Sequence, residues 1–207
     1  MSDPQRAFFD ERAVGWEQRC YPRETRARLS ELVDGLADRL ALAEVSTLLD
    51  LGAGTGVLYP DLRRTLAPSA RVFALDISHA MLREGADKPW HAGDLRIQAT
   101  ALALPLADAS IDLVLCFAAF PHFADASRAL TEMARVTRPG GQVVIAHLMS
   151  RDELRAHHGR HHAVARDLLP AEAEMRSLYA RAGISTLEIR DCPGLYLARG
   201  MIGAGEG

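Results

Sequence analysis

The chain has 207 residues, of which 48% are hydrophobic and 25% charged, and this composition fits a soluble globular protein of ordinary domain size. Its formal net charge of −3 gives no basic surface for a nucleic acid, so we expect no nucleic-acid partner. The three cysteines are far apart and predict neither a disulfide framework nor a metal site. The sequence also has no apolar leader and no segment of membrane-spanning length. We therefore expect a cytoplasmic protein without a membrane partner.

The first half of the chain alternates between helical and extended patterns. Residues 1–22 are expected to form an arm or short helix, and residues 23–42 a helix with one apolar face. Strands are then predicted at 45–51, 71–76 and 95–98, with helices at 57–66 and 79–84.

The second half continues the alternation and ends differently. It predicts a strand at 111–117, a helix at 125–137 with Asp125 as its N-cap, a strand at 142–146, a polar helical segment at 151–166, a helix that begins at Pro170, and an antiparallel hairpin of residues 184–190 and 195–201. We expect a single domain over residues 1–207, divided into an N-terminal arm and helix (1–42), a core (43–148), a cap helix (149–170), a last helix and hairpin (171–202) and a disordered tail (203–207).

Strands that alternate with helices predict an α/β fold with a parallel sheet covered on both faces. We therefore expect a Rossmann-like, doubly wound, mostly parallel seven-stranded sheet with a C-terminal antiparallel hairpin. Ligands of such sheets bind beyond the carboxyl ends of the strands. Asp50, Asp76, Phe117 and His147 fall at or next to predicted strand ends, so we expect them to line one rim.

The most informative segment is DLGAGTG at residues 50–56, directly after an apolar strand. Glycines in that place let the backbone turn tightly and approach a ligand closely. A dinucleotide fingerprint requires glycine or alanine at the third position of G-x-G-x-x-G, and Val57 stands there instead. Asp50 would also repel a pyrophosphate, whereas it suits a ligand with positive charge, such as the α-ammonium and sulfonium of S-adenosylmethionine.

Four motifs in order give the chain a family resemblance. Residues 50–56 resemble motif I of the class I S-adenosylmethionine-dependent methyltransferases, and DISHAML at residues 76–82 resembles the segment after their second strand. ALPL at 103–106 with SIDLV at 110–114, and RPGG at 138–141, resemble two later family motifs. The resemblance covers about residues 8–148 and favours the members that act on small molecules.

The resemblance implies where the cofactor binds. The carboxylate of Asp76 would accept hydrogen bonds from both ribose hydroxyls, and Ile77 and Met81 would pack on the adenine. Many relatives have an acid that meets the adenine amino group, but this chain has Thr100 near that place, so the adenine contact is less defined. The expected cofactor residues are Asp50, Gly52, Ala53, Gly54, Gly56, Asp76, Ile77, Met81, Thr100, Ala101 and Phe117.

Methyl transfer from a sulfonium has a neutral leaving group, so no catalytic acid is required, and a base is needed only for an acceptor that must lose a proton. The candidate bases are His122, in the loop after the fourth predicted strand, and His147, at the end of the fifth. Each has an alternative interpretation as a packed structural histidine.

A cluster of histidines at residues 157–162 is open to three interpretations. It is a solvated polar helix, a substrate-recognition element through His157, His158 and His161, or a metal site; the zincin pattern is absent, and we expect no metal. Trp16 is a candidate lid over the cofactor and a candidate substrate contact, or alternatively a core residue. Asp94, before the third strand, is expected to contact only water.

The sequence thus predicts a methyltransferase that moves a methyl group from S-adenosylmethionine to a small-molecule acceptor. Two alternatives stay open at this point: a non-catalytic protein that binds S-adenosylmethionine, and a nicotinamide-dependent oxidoreductase on a similar sheet. The acceptor, the accepting atom and the oligomeric state are not encoded in any pattern that we recognise.

Overall fold

Seven strands form one mixed sheet in the order β3-β2-β1-β4-β5-β7-β6, in a computed structural model that describes residues 4–159 and 167–203. The pairs β1–β2, β2–β3 and β4–β5 are parallel, whereas β7 is antiparallel to both β5 and β6. The strands are β1 (Thr47–Leu51), β2 (Arg71–Asp76), β3 (Leu95–Gln98), β4 (Ile111–Phe117), β5 (Thr137–His147), β6 (Ile184–Cys192) and β7 (Leu195–Ile202). The predicted fold class is confirmed.

Eight α-helices are described with these strands, together with short 3-10 helices at Leu42–Glu44 and Phe120–His122. The α-helices are α1 (Pro4–Arg12), α2 (Trp16–Cys20), α3 (Arg23–Ala37), α4 (Tyr59–Thr65), α5 (His79–Glu84), α6 (Ala126–Val136), α7 (Arg151–His158) and α8 (Glu172–Arg181). Among the residues that the structure describes, no helix has the length and apolarity needed to span a membrane.

Contacts along the chain group into two compact units, Met1–Thr100 and Ala101–Gly207. The single domain over 1–207 and its subdivisions stay a prediction. Of the tail expected to be disordered, residues 204–207 lie outside the described residues.

In the first unit, apolar strands form the core because their side chains leave water on both faces of the sheet. Leu48, Leu49 and Leu51 of β1 are fully buried, and β1 pairs with β2 so that Leu51 lies opposite Leu75. The predicted arm contains α1 and α2. The helix that was predicted to start at residue 57 begins at Tyr59, because a turn occupies the residues after the glycines.

In the second unit, the RPGG segment bulges out of the β4–β5 pairing. Ile111 lies opposite Thr137 and Leu113 opposite Gln142, so residues 138–141 have no opposite partners. Gly140 has φ of +76°, a conformation that favours glycine. The last helix begins at Glu172 and not at Pro170, and Tyr179 donates a hydrogen bond to the carbonyl of Ala198 (3.1 Å).

Candidate functional site

The loop after β1 is built from three glycines in left-handed conformations. Gly52, Gly54 and Gly56 have φ of +75°, +56° and +74°, where a side chain would strain the backbone. The N–H groups of Gly52 and Ala53 both donate to the carbonyl of Leu75 at the end of β2, at 2.8 and 3.0 Å. The glycine spacing in the sequence therefore corresponds to a required backbone geometry.

Asp76, the last residue of β2, is held by two backbone donors. One carboxylate oxygen accepts a hydrogen bond from the N–H of Gly54 and the other from the N–H of Ser78, both at 2.8 Å. The side chain is buried, with 8% of the residue exposed. Each oxygen retains accepting capacity beyond one N–H, so the carboxylate is positioned to receive further donors such as a pair of hydroxyls.

Asp50 lies one strand away from Asp76 in a different environment. It is 3% exposed, and burial together with the charge of Asp76 raises the pKa of Asp50 to about 7. A carboxyl group in this state gains most from a nearby cation, because the cation restores its ionised form. The residue type and its burial therefore suit a positively charged ligand, as the sequence suggested.

Two glycines show that the loop is packed on one side and accessible on the other. A Cβ added at Gly85, the C-cap of α5, would lie 2.0 Å from the carbonyl oxygen of Thr55. A Cβ added at Gly54 would meet no heavy atom within 4 Å. The side of the loop at Gly54 thus has space for a ligand, which fits the expected cofactor. The role of Gly85 was missed, since a glycine after a helix is usually only a C-cap.

The N-terminal helices contact this loop through carboxylates. Glu17 of α2 accepts a hydrogen bond from the hydroxyl of Thr55 (2.6 Å) and pairs with Lys88 and with Arg26. Burial alone would raise the pKa of Glu17, but the hydrogen bonds from Lys88 and Thr55 outweigh it and the pKa is lowered. Sequence reasoning missed Glu17 as a loop contact.

A second carboxylate of the N-terminal arm accepts a hydrogen bond at the start of α5. Asp10 of α1 accepts from the hydroxyl of Ser78 (2.6 Å), whose oxygen in turn caps α5 by accepting from the N–H of Met81 (3.1 Å). The hydrogen bond from Ser78 holds the pKa of Asp10 below its usual value. The arm is therefore attached to both segments that carry the predicted cofactor residues.

The remaining predicted residues of the first unit have distinct surroundings. Met81 is buried, and Ile77 and Thr100 are half-buried. Trp16 is half-buried with its ring 5.9 Å from that of Phe9 in an edge-on arrangement, so it packs within the arm. In the second unit, Ala101 and Phe117 are buried. Their contacts with a cofactor stay predictions.

The prediction for Asp94 was wrong. We expected it to contact only water, but its carboxylate accepts from the hydroxyl of Tyr59 (2.7 Å) and from the N–H of Val72 (2.8 Å). It therefore joins α4 to β2. No local pattern indicates this contact, because Tyr59 lies 35 positions from Asp94 in the chain.

In the second unit, the predicted histidines are brought together around a residue that the sequence did not single out. Nδ1 of His122 lies 2.7 Å from the carboxylate of Asp167, and Nδ1 of His158 lies 2.5 Å from the main-chain carbonyl oxygen of the same residue. The rings of His122 and His158 are 5.4 Å apart.

His147 is also buried, and its pKa is strongly lowered. Burial is the main cause that lowers the pKa of His147 to about 4, with smaller contributions from His158, His122 and His157. Its Nδ1 accepts the N–H of Met149 (3.0 Å). His147 is therefore a neutral ring at physiological pH.

The histidine cluster on α7 divides between two environments. His157 is exposed, whereas His158 is buried, so the interpretation as a purely solvated helix is wrong for His158. The physical reason is that α7 turns this ring toward Asp167, which satisfies its N–H. His161 and His162 lie outside the described residues. Within 4–159 and 167–203, no group of three or more His, Cys, Asp or Glu side chains could hold a metal ion.

Residues 49–145 match the family model described as "Methyltransferase domain". The malonyl-[acyl-carrier protein] O-methyltransferase of Methylococcus capsulatus is 41% identical over 100 residues, which cover 48% of this chain and 36% of that protein. The ubiquinone/menaquinone biosynthesis C-methyltransferase UbiE of Klebsiella pneumoniae is 35% identical over 103 residues, covering 48% and 41%. The chain thus matches less than half the length of these curated relatives.

A solved structure extends the likeness over nearly the whole chain. The SAM-dependent methyltransferase from Aquifex aeolicus superposes with a TM-score of 0.71 at 20% identity, covering 98% of this chain and 100% of that one. At this identity the likeness shows the fold alone. The model of a methyltransferase domain thus matches residues 49–145, and the superposition shows that the chain has the fold of that solved structure.

Proposed function

We propose that this chain transfers a methyl group from S-adenosylmethionine to a small-molecule acceptor. The observation that carries the proposal is the pair of buried acids on neighbouring strands, Asp50 and Asp76, on either side of a glycine loop that is accessible at Gly54. Two buried carboxylates near an accessible loop suit a ligand that combines a cationic end with hydroxyl donors.

Each acid has a separate part in holding the cofactor. Asp50 would face the cationic amino-acid end, and Asp76 would accept the ribose hydroxyls while Gly54 and Ser78 keep its oxygens in place. Ile77 and Met81 would contact the adenine, with Thr100 beside it. The bound cofactor supplies an electrophilic methyl carbon with a neutral thioether leaving group.

The protein's own contribution is positioning. Fixed donors and a packed loop reduce the entropy that the reactants must lose, and a closed site excludes water as a competing nucleophile. The attachment of α2 to the loop through Glu17, and of α1 to the start of α5 through Asp10, favours such closure. No group is needed to protonate the leaving group, so the chemistry depends on geometry.

Calorimetry and turnover together test the proposed function. We expect S-adenosylhomocysteine to bind and labelled methyl from S-adenosylmethionine to reach acceptors in a metabolite extract. Binding without any transfer would support the non-catalytic alternative. Binding of NAD in place of S-adenosylhomocysteine would support the oxidoreductase alternative.

Three further expectations belong to the same proposal. The net charge of −3 favours a small acceptor over a nucleic acid, which a gel-shift assay with tRNA and duplex DNA would check. The cysteines at 20, 116 and 192 form no disulfide bond in the structure, which favours a reducing compartment such as the cytoplasm. Cell fractionation with an antibody to the chain would test the location.

A further inference from the structure

The segment between α5 and β3, residues 85–94, packs against the glycine loop through the side chain of Trp90. A Cβ added at Gly56 would lie 3.1 Å from both Cη2 and Cζ2 in the six-membered part of the Trp90 ring. Gly54 has a similar left-handed conformation, and a Cβ added there would meet no heavy atom within 4 Å. The Trp90 ring therefore bounds the loop at Gly56, whereas the loop has open space beside Gly54.

Three contacts hold the Trp90 ring in this place. Its indole N–H donates a hydrogen bond to the carbonyl of Gly85 (2.9 Å). The ring centroids of Trp90 and Tyr59 are 3.9 Å apart, with the planes tilted by 35°, and the guanidinium carbon of Arg96 lies 5.6 Å from the Trp90 ring. The ring cannot turn away from Gly56 without losing these contacts, so it presents a fixed surface to the loop.

Tyr59 connects this surface to the first unit's regular structure. It is 1% exposed, and its hydroxyl donates to the carboxylate of Asp94 (2.7 Å) while it accepts from the N–H of His91 (2.8 Å). Asp94 also accepts from the N–H of Val72 on β2 (2.8 Å). The support of the Trp90 ring thus extends to α4 and β2, which are more rigid than a loop.

Lys88 provides a second attachment between the same segment and the loop. Its Cδ would lie 3.6 Å from a Cβ at Gly56, and its ammonium pairs with the carboxylate of Glu17, which accepts from the hydroxyl of Thr55. Two consecutive residues of the glycine loop are therefore held by groups outside the loop itself.

Resting on the proposed function, we propose that Trp90 is a positioning residue for the glycine loop, and that its ring keeps Gly56 where the binding of S-adenosylmethionine requires it. The N–H of Gly56 donates to the carbonyl of Ala53 (2.8 Å), and the N–H of Gly54 donates to Asp76 (2.8 Å). A shift at Gly56 would therefore move the part of the loop that reaches the ligand. A loop that is already in place costs less entropy to bind.

Trp90→Phe tests the proposal, because the shorter ring keeps an aromatic group beside Tyr59 but lacks the indole N–H and the atoms next to Gly56. Gly56→Ala and Gly54→Ala are made in wild type and in the Trp90→Phe protein. Both alanines impose left-handed strain, but the one at residue 56 would also meet the Trp90 ring, which makes residue 54 the matched control. Calorimetry measures the affinity of each protein for S-adenosylhomocysteine.

We expect Trp90→Phe to weaken the binding of S-adenosylhomocysteine by about 10-fold. Gly56→Ala should cost at least about threefold less affinity in the Trp90→Phe protein than in wild type, because the ring no longer opposes the new Cβ. Gly54→Ala should have the same cost in both proteins within about twofold, since residues that do not touch act independently.

A second control separates loop positioning from a general loss of stability. Leu36 is buried in α3, about 15 Å along that helix from Arg26, the partner of Glu17. Leu36→Ala should lower the thermal stability and leave the affinity for S-adenosylhomocysteine within about twofold of wild type. A Trp90 residue that only stabilised the fold would behave in the same way.

Tryptophan fluorescence supplies a readout that leaves the Trp90 contact intact. The chain has two tryptophans, so Trp16→Phe leaves Trp90 as the one emitting indole. Because the ring lies against the loop, we expect S-adenosylhomocysteine to shift its emission, with half-saturation at the dissociation constant that calorimetry gives for the same variant.

The outcomes separate this proposal from the proposed function. Unchanged affinity in Trp90→Phe, equal costs of Gly56→Ala in the two proteins, or Trp90 emission that does not respond in protein that binds S-adenosylhomocysteine would each overturn the role of Trp90. Failure of wild type to bind S-adenosylhomocysteine would instead overturn the proposed function, and the coupling of residues 56 and 90 in urea unfolding would then report their contact alone.

Discussion

At the residue scale, two carboxyl groups on neighbouring strands behave differently because their surroundings differ. Asp76 receives two backbone N–H groups, which favour a negative charge. Asp50 is buried beside that charge, and its own ionised form is disfavoured. In the proposed cofactor site, Asp76 would therefore serve as a prepared hydrogen-bond acceptor, and Asp50 would respond to a cation.

Asp76→Ala should weaken the binding of S-adenosylhomocysteine by about 1–3 kcal/mol, the range for the loss of hydrogen bonds to a charged group. The same change also removes the acceptor of the Gly54 N–H, so part of the loss comes from the loop. Titration calorimetry measures the affinity, with the exposed Asp38→Ala as a control. An unchanged affinity would show that the ribose does not bind at Asp76.

Asp50→Asn should make the free protein more stable above neutral pH while it weakens cofactor binding. The pKa of Asp50 is about 7 in the folded protein and 3.8 as its ordinary value. Between these values the unfolded chain has lost the proton and the folded one has kept it, so this residue makes stability fall as pH rises from about 4 to 7. Each pKa unit corresponds to about 1.4 kcal/mol.

Urea unfolding of both proteins at pH 5 and pH 8 measures this effect. The gain from Asp50→Asn should be larger at pH 8 and reach about 1–3 kcal/mol. Asp10, Glu17 and Glu132 have lowered pKa values and lose their stabilising contributions only as pH falls below about 4, outside this window. An equal gain at both pH values would contradict the raised pKa.

The residues that sequence reasoning missed share one property: their partners are distant in sequence. Asp167 is 45 positions from His122, and Asp94 is 35 positions from Tyr59. Local patterns identify a residue by its neighbours, and a carboxylate in a polar segment looks like a solvated one. By contrast, Asp50 and Asp76 were predicted because each lies at or next to the end of its own apolar strand.

At the scale of elements, the join between α5 and the glycine loop has little free space. The C-cap of α5, Gly85, lies so close to Thr55 that a methyl group cannot be inserted without moving backbone. The helix that follows β2 thereby limits the position of the loop that follows β1. Two consecutive strand–helix units therefore position the glycine loop together.

Gly85→Ala should destabilise the protein by about 1–3 kcal/mol, as expected for overpacking, and should also weaken S-adenosylhomocysteine binding. Gly35→Ala is the matched control, since Gly35 lies inside α3 with nothing near its would-be Cβ. That change should instead stabilise by about 0.5–1 kcal/mol, because alanine is the better helix former. Equal effects of the two substitutions in urea unfolding would argue against the close contact.

The bounds of helices and strands were predictable where the apolar periodicity is strong. They were less predictable where a cap or a bulge determines where the element begins or ends. β2, β4 and α5 have the predicted bounds. The helix predicted at 23–42 ends at Ala37, and the fifth strand includes the RPGG bulge from Thr137 onward. Pairing with β4 across the sheet sets the start of β5, and local patterns in the chain do not contain that information.

At the scale of the whole molecule, we expect the affinity for the cofactor to be independent of the histidine cluster at residues 157–162. Replacing His157, His158, His161 and His162 together by glutamine should leave the affinity for S-adenosylhomocysteine within about twofold, because Asp50 and Asp76 make their contacts within the first unit. Stability should fall, since buried His158 loses its bond to Asp167. Calorimetry and thermal unfolding of the same sample would check both; a collapse of affinity would contradict the independence of the two groups.

The attachment of α1 and α2 also matters for anyone who trims the chain. The family match begins at residue 49, which suggests a tempting minimal fragment. Such a fragment would retain every glycine of the loop but leave Thr55 and Ser78 without the carboxylates of Glu17 and Asp10. We expect ligand screening with this fragment to sample a less constrained loop than that of the intact chain, so weak hits from the fragment would misrepresent the intact protein.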